Sequence, residues 1–164
     1  MTRTAIAILL TLAFTCAATV ASAAERRPVP PMTLVDATGA SVTSASLSPE
    51  SQWLLVYVTP GSPAADRLIS AMKGWELGTS LRKVVFVVDA RGAEAQSWLA
   101  RVLPQTEENL PPRYLDRAGE AKTALRVTNT PTLIGVKDGQ IAWDLAGVLN
   151  DPAALEPVIR NWIK

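Results

Sequence analysis

The stretch WLLVYVTPGSPAADRL, residues 53–68, carries three local signals in succession. Residues 53–58 are a continuous apolar run of strand length, the pattern of a strand buried on both faces. A Thr-Pro-Gly-Ser-Pro turn follows, and then a helix start. Ser62 is a good N-cap, Pro63 suits the first helical position, and Asp66 lies near the positive end of the helix dipole. Ala65, Leu68, Ile69, Met72 and Trp75 continue at helical spacing, with Gly78 helping to end the element. As an N-cap, Ser62 is expected to contribute about 1 kcal/mol.

The same alternation extends outward along the chain. KVVFVVD, residues 83–89, reads as a second buried strand rich in β-branched residues. Ala95, Trp98, Leu99 and Val102 form the buried stripe of another helix, which Pro104 ends ahead of a polar loop at 104–112. RYLDRAGEAKTALRV gives a short strand, a turn and a brief helix. PTLIGV and QIAWDL are strands joined through Asp138-Gly139. Asp151-Pro152 caps a last helix with Leu155, Val158, Ile159 and Trp162 inward, and Pro157 should shift its start or kink it. Upstream, RRPVPP is an extended linker, and the segments flanking Thr38-Gly39 suggest a small hairpin. Alternating strands and helices imply an α/β fold: a mixed central sheet, parallel in the middle, with an antiparallel C-terminal hairpin and helices on both faces.

The N-terminus reads as a secretory signal, residues 1–23. Arg3 starts it, AIAILLTLAF is its apolar run, and Ala21-Ser22-Ala23 is a cleavage site before Ala24. Retention as an anchor is a weaker reading, because the run is short for a span. Lipidation at Cys16 is also weaker, since the residue before the cysteine should be smaller. Residues 24–164 then form one domain, with 24–31 as its extended linker. This portion holds 15 Lys and Arg against 15 Asp and Glu, so no basic surface points to nucleic acid. The only cysteine, Cys16, leaves with the signal, and there is no histidine. Ser-His and Cys-His catalysis and His or thiolate metal sites are thereby excluded, and no Asp/Glu cluster has loop-ligand spacing. No metal or cofactor is expected.

At this point the chain resembles the thioredoxin superfamily, in particular its exported thioredoxin-like and redoxin types. WLLVYVTPGSPAADRL looks like the strand-loop-helix that holds the redox pair. YLDRAGEAKTALRVTNTPTLIGVKDGQI looks like the C-terminal half, with its Asp-x-x-Gly turn, Val-x-x-Thr-Pro-Thr and Asp-Gly hairpin. Gly147 matches a glycine common after the last strand. The resemblance implies that Pro131 is a cis-proline beside the redox loop; the residues alone also allow a trans proline opening a strand. It places the absent cysteines at Gly61 and Ala64, or at Ser62 and Ala65. The second alignment uses Pro60, Pro63 and Leu68 together and is preferred.

A serine hydroxyl at a helix start cannot form a mixed disulfide. Thiol exchange is therefore not expected, and Ser62 is read as a cap in preference to a nucleophile. In the family, this loop and the residue before the cis-proline dock an extended backbone by a form of strand addition. Thr59, Pro60, Gly61, Ser62, Pro63, Ala64, Ala65, Thr130 and Pro131 form the corresponding binding site here. The expected function is that of an exported accessory or chaperone-like binding protein, with an envelope protein or extended peptide as partner. Two other readings remain. One is an enzymatic role, by non-thiol chemistry or completed by a partner's cysteines; the other is a structural subunit of an envelope complex. Trp53, Trp75, Trp98, Trp143 and Trp162 read as core, Arg26-Arg27 and Glu107-Glu108 as solvated charge, and Asp89 as a cap for the helix after it.

Overall fold

A computed structural model describes residues 26–104, 111–147 and 151–164. The signal at 1–23 and the Glu107-Glu108 pair lie outside them. At the centre are β4 (Gln52–Val58) and β5 (Val84–Asp89), paired in parallel from Leu54↔Val84 to Val58↔Val88. Every residue of β5 is buried, as the unbroken apolar run requires of a strand covered on both faces. β6 (Arg113–Asp116) extends the parallel part beside β5, while β7 (Thr132–Lys137) runs antiparallel to β4 on its other side. β8 (Gln140–Ala146) completes the hairpin through Asp138-Gly139. With β1 (Arg27–Pro28), β2 (Thr33–Val35) and β3 (Ser41–Thr43), the eight-stranded order is β1-β8-β7-β4-β5-β6-β2-β3.

Alternation along the two central strands builds two apolar layers. Leu54, Val56, Val58, Val84, Phe86 and Val88 face α1 (Pro63–Gly74), α2 (Ala95–Val102) and α4 (Glu156–Trp162). Trp53, Leu55, Tyr57, Val85 and Val87 face α3 (Glu120–Ala124) and the N-terminal hairpin. The fold is thus α/β with helices on both faces of a mixed sheet.

β8 serves both layers because its register shifts opposite Gly135 and Val136. Ile141 packs into the α3 layer, whereas Trp143 packs against the layer that α4 covers. Its ring meets that of Trp162 edge-on, with centroids 5.4 Å apart. The indole lies so close to the backbone that a Cβ at residue 135 would fall 2.3 Å from its Cε2. Only glycine fits there.

Several expectations need correction or addition. The extended N-terminal segment is also paired: Arg27 and Pro28 partner Ile141 and Gln140, and the Val29 N–H donates to the Gly139 carbonyl (3.0 Å). A proline without an N–H is tolerated at such an edge. Arg27 also reaches Asp144 at 3.4 Å, so it is not simply solvated. α1 stops at Gly74, short of Gly78, with the Trp75 N–H donating to the Met72 carbonyl (3.3 Å). The last helix is capped by Asp151 and its start is shifted at Pro157, as expected: a 3-10 turn, Pro152–Leu155, comes first and the chain becomes α-helical only at Glu156. That later start turns the buried stripe to Leu155, Ile159 and Ile163, and leaves Val158 50% exposed. Asp89 caps nothing: α2 begins at Ala95 with Glu94 before it, and the Asp89 carboxylate is held by Arg91.

Candidate functional site

The loop 59–63 lies where β4 hands over to α1. Gly61 takes φ +75°, a left-handed conformation that a side chain would strain, and this turn aims the chain into the helix. The Ser62 N–H donates to the Thr59 carbonyl (3.3 Å), and the Ser62 carbonyl accepts the first helical bond from Asp66 (3.1 Å). Ser62 is the N-cap by backbone conformation, with Pro63 in the first turn, but its hydroxyl makes no capping bond. The expected contribution of about 1 kcal/mol from a side-chain cap is therefore absent.

The loop ending at Pro131 comes in beside this corner, and the Thr130–Pro131 peptide is cis. Thr130 Oγ1 donates to Thr59 Oγ1 across the gap (3.2 Å), tying the two loops together. The Gly147 N–H donates to the Pro131 carbonyl (3.1 Å), and Thr132 Oγ1 donates to the Asn129 carbonyl (2.5 Å). The candidate residues thus meet at one place but differ in access. Pro60, Ala64, Ala65 and Pro131 are buried, Thr59, Ser62 and Thr130 are half-buried, and Gly61 and Pro63 are exposed. Ala64 lines a narrow crevice with Pro131, Leu68, Leu133 and Leu155 that leaves only about 10 Å³ of open space. Ala65 instead belongs to the α1 face in the core. Of the two pairings of absent cysteines, Gly61 with Ala64 has its second position beside Pro131, whereas Ser62 with Ala65 has it in the core.

Chemically the corner offers three hydroxyls and main-chain groups. Among the described residues, no Lys, Asp or Glu hydrogen-bonds Thr59, Ser62 or Thr130, so none has an adjacent base to activate it. The closest acid in sequence, Asp66, is committed elsewhere. Its Oδ1 accepts from Trp98 Nε1 (2.7 Å), and Arg101 lies 3.6 Å from Oδ2. No group of three or more potential metal ligands exists among the described residues.

A second polar cluster escaped the sequence reading. Asp89 and Asp116 are register partners at the ends of β5 and β6, both buried. Asp116 Oδ2 accepts from Tyr57 Oη and from the Lys122 N–H, each at 2.9 Å, while its Oδ1 has no partner among the described residues. Arg91 forks onto Asp89 at 2.9 and 2.6 Å, and Lys122 Nζ lies 3.7 Å from it. Burial, reinforced by Asp116, pushes the Tyr57 phenol far above its ordinary range. The sequence showed Asp89, the Asp-x-x-Gly turn that begins at Asp116 and a phenol inside the apolar run WLLVYV, with nothing to join them. The phenol's partner was beyond reach because Asp116 lies 59 positions away.

The Arg91 guanidinium bonded to Asp89 holds that carboxyl below the usual carboxylate range. A depressed acid stabilises the fold above its unfolded pKa of about 3.9 and loses that contribution as pH falls through the folded value. Arg91→Gln should therefore begin acid unfolding at a higher pH than the parent. Circular dichroism followed from pH 7 downward reads this directly, and superimposable curves would refute it.

No family model matches the chain, and no curated protein sequence matches it. Solved structures do. A Chlorobium tepidum protein described as a thiol:disulfide interchange protein DsbE superposes with a TM-score of 0.67 at 19% identity, covering 85% of this chain and 97% of its own. The thioredoxin domain of a Bacteroides vulgatus thiol-disulfide oxidoreductase gives 0.63 at 14%, covering 84% and 96%. A secreted Mycobacterium tuberculosis disulfide oxidoreductase homologous to E. coli DsbE gives 0.57 at 17%, covering 79% and 95%. At such identities the likeness is one of architecture, and in architecture the chain has the thioredoxin fold.

Proposed function

We propose that the protein is exported through a signal at residues 1–23 and that residues 24–164 form one thioredoxin-like domain. In this reading it binds an extended segment of an envelope protein and carries out no thiol-disulfide exchange. One observation carries it. The corner is assembled, with cis Pro131 beside the start of α1 and a hydroxyl bond linking the loops, in a chain whose only cysteine is Cys16. Docking of an extended backbone needs main-chain donors and acceptors rather than sulfur. Gly61 is exposed, and among the described residues Thr130 makes no main-chain hydrogen bond to another main-chain group.

Two measurements test the reading. The exported protein should begin at Ala24 and give no acceleration of dithiothreitol-driven insulin reduction; clear turnover overturns it. A photocrosslinker at Ser62 should capture an envelope protein, and Thr130→Trp should abolish the adduct while leaving the circular dichroism unchanged. An adduct indifferent to Thr130→Trp places docking elsewhere.

A further inference from the structure

Away from the corner, and sharing no lining residue with it, α2, β6 and the β2–β3 turn enclose a cleft of about 370 Å³. Its walls are Leu99, Ala100, Leu103 and Leu115, with Ala37 from the turn, and its charge comes from Arg113. A second hollow of about 320 Å³ lies beside it, with Ala37 and Arg113 lining both. Arg113 is half-buried and donates through Nη1 to the Leu103 carbonyl at the end of α2 (2.8 Å). Among the described residues no carboxylate pairs with it. Asp36, the one acid among the described lining residues, is turned into its own hairpin. Its Oδ1 accepts from the Thr38 N–H and Oγ1 and from the Ala40 N–H, at 2.7 to 2.9 Å.

A guanidinium presents five donors in a fixed fork, and one carbonyl uses only part of that capacity. Partly removed from water beside leucine walls, the remaining donors favour a planar anion, which a carboxylate supplies with two parallel bonds. The same walls exclude a purely polar ion and favour an apolar chain. The volume lies at the small end of ligand pockets, about 300–1,000 Å³. We propose that this cleft binds a small amphipathic carboxylate, with its headgroup on Arg113 and its chain along Leu99, Leu103 and Leu115.

The probe is decanoate, with decanol as the same chain without charge and acetate as the same charge without a chain. Titrated into the purified exported protein, decanoate should shift the amide resonances of Leu99, Leu103 and Arg113 along a single saturable curve. Decanol and acetate should each bind at least about tenfold more weakly, the loss expected on removing a charge-assisted pair or the apolar contact. Arg113→Met should weaken decanoate by a similar factor. Because that change also removes the bond to Leu103, Ala100→Trp provides the independent arm: an exposed helix residue whose new ring fills the cleft should abolish binding with the fold intact. Absence of saturation, equal binding of decanol, or undiminished affinity in Ala100→Trp overturns the proposal. A Leu-terminated peptide binding more tightly than decanoate would also overturn it, in favour of a protein C-terminus as ligand.

Discussion

Asp116→Ala should lower the unfolding free energy by about 2–4 kcal/mol, because it strands two buried donors at once. Tyr57 Oη and the Lys122 N–H both end on Asp116 Oδ2, and both Tyr57 and Asp116 are completely buried. Against a typical total stability of about 5–15 kcal/mol, such a loss is large. Chemical denaturation with unchanged m-value would measure it. Tyr57→Phe removes one donor along with its need and should cost less, about 1–2 kcal/mol. The double variant should then fall well short of the sum of the two singles, since they share one hydrogen bond. Additive effects would show that Asp116 acts chiefly through Lys122 and the start of α3.

Gly135→Ala should cost about 1–3 kcal/mol, the usual range for forcing an extra methyl into a filled site. The added carbon would lie 2.3 Å from both Cε2 and Nε1 of Trp143. The ring cannot retreat freely, because it meets Trp162, whose Nε1 donates to the Trp53 carbonyl (2.8 Å). In a Trp143→Ala background the three atoms nearest that methyl are gone, so its cost should fall sharply. Thermal unfolding of the four proteins in this cycle tests the account. An undiminished cost without the tryptophan would point to backbone conformation instead.

The local parts of this molecule were legible in one dimension. Residues 53–58 and 84–89 are buried strands because their apolar runs allow no wet face. The turn at 59–62 and Pro63 start α1 where N-terminal chemistry places it. Thr130, Pro131 and Thr59 come together as the family resemblance implied. What stayed hidden depends on partners distant in sequence. Tyr57 looked like one more core residue until the parallel register set Asp116 beside Asp89. Arg27 and Pro28 carry no strand signal of their own and become a strand only because the turn at Gly139 offers an acceptor. Val158 fits the stripe of Leu155, Ile159 and Trp162, yet it alone of the four stays exposed once the helix opens with a 3-10 turn.

The register shift in β8 has a consequence for how this protein stays apart from its neighbours. On the side away from β7, and beyond the two pairs with β1, residues 142–146 have no strand partner among the described residues, and an open strand edge invites foreign chains to zip on. Here the invitation is withdrawn. The shift turns successive halves of β8 toward opposite layers, so an incoming strand could not match both with one straight alternation. Exposed Asp144 adds charge in the middle of the same stretch. Such an edge lets the protein fold beside copies of itself without their sheets fusing into one.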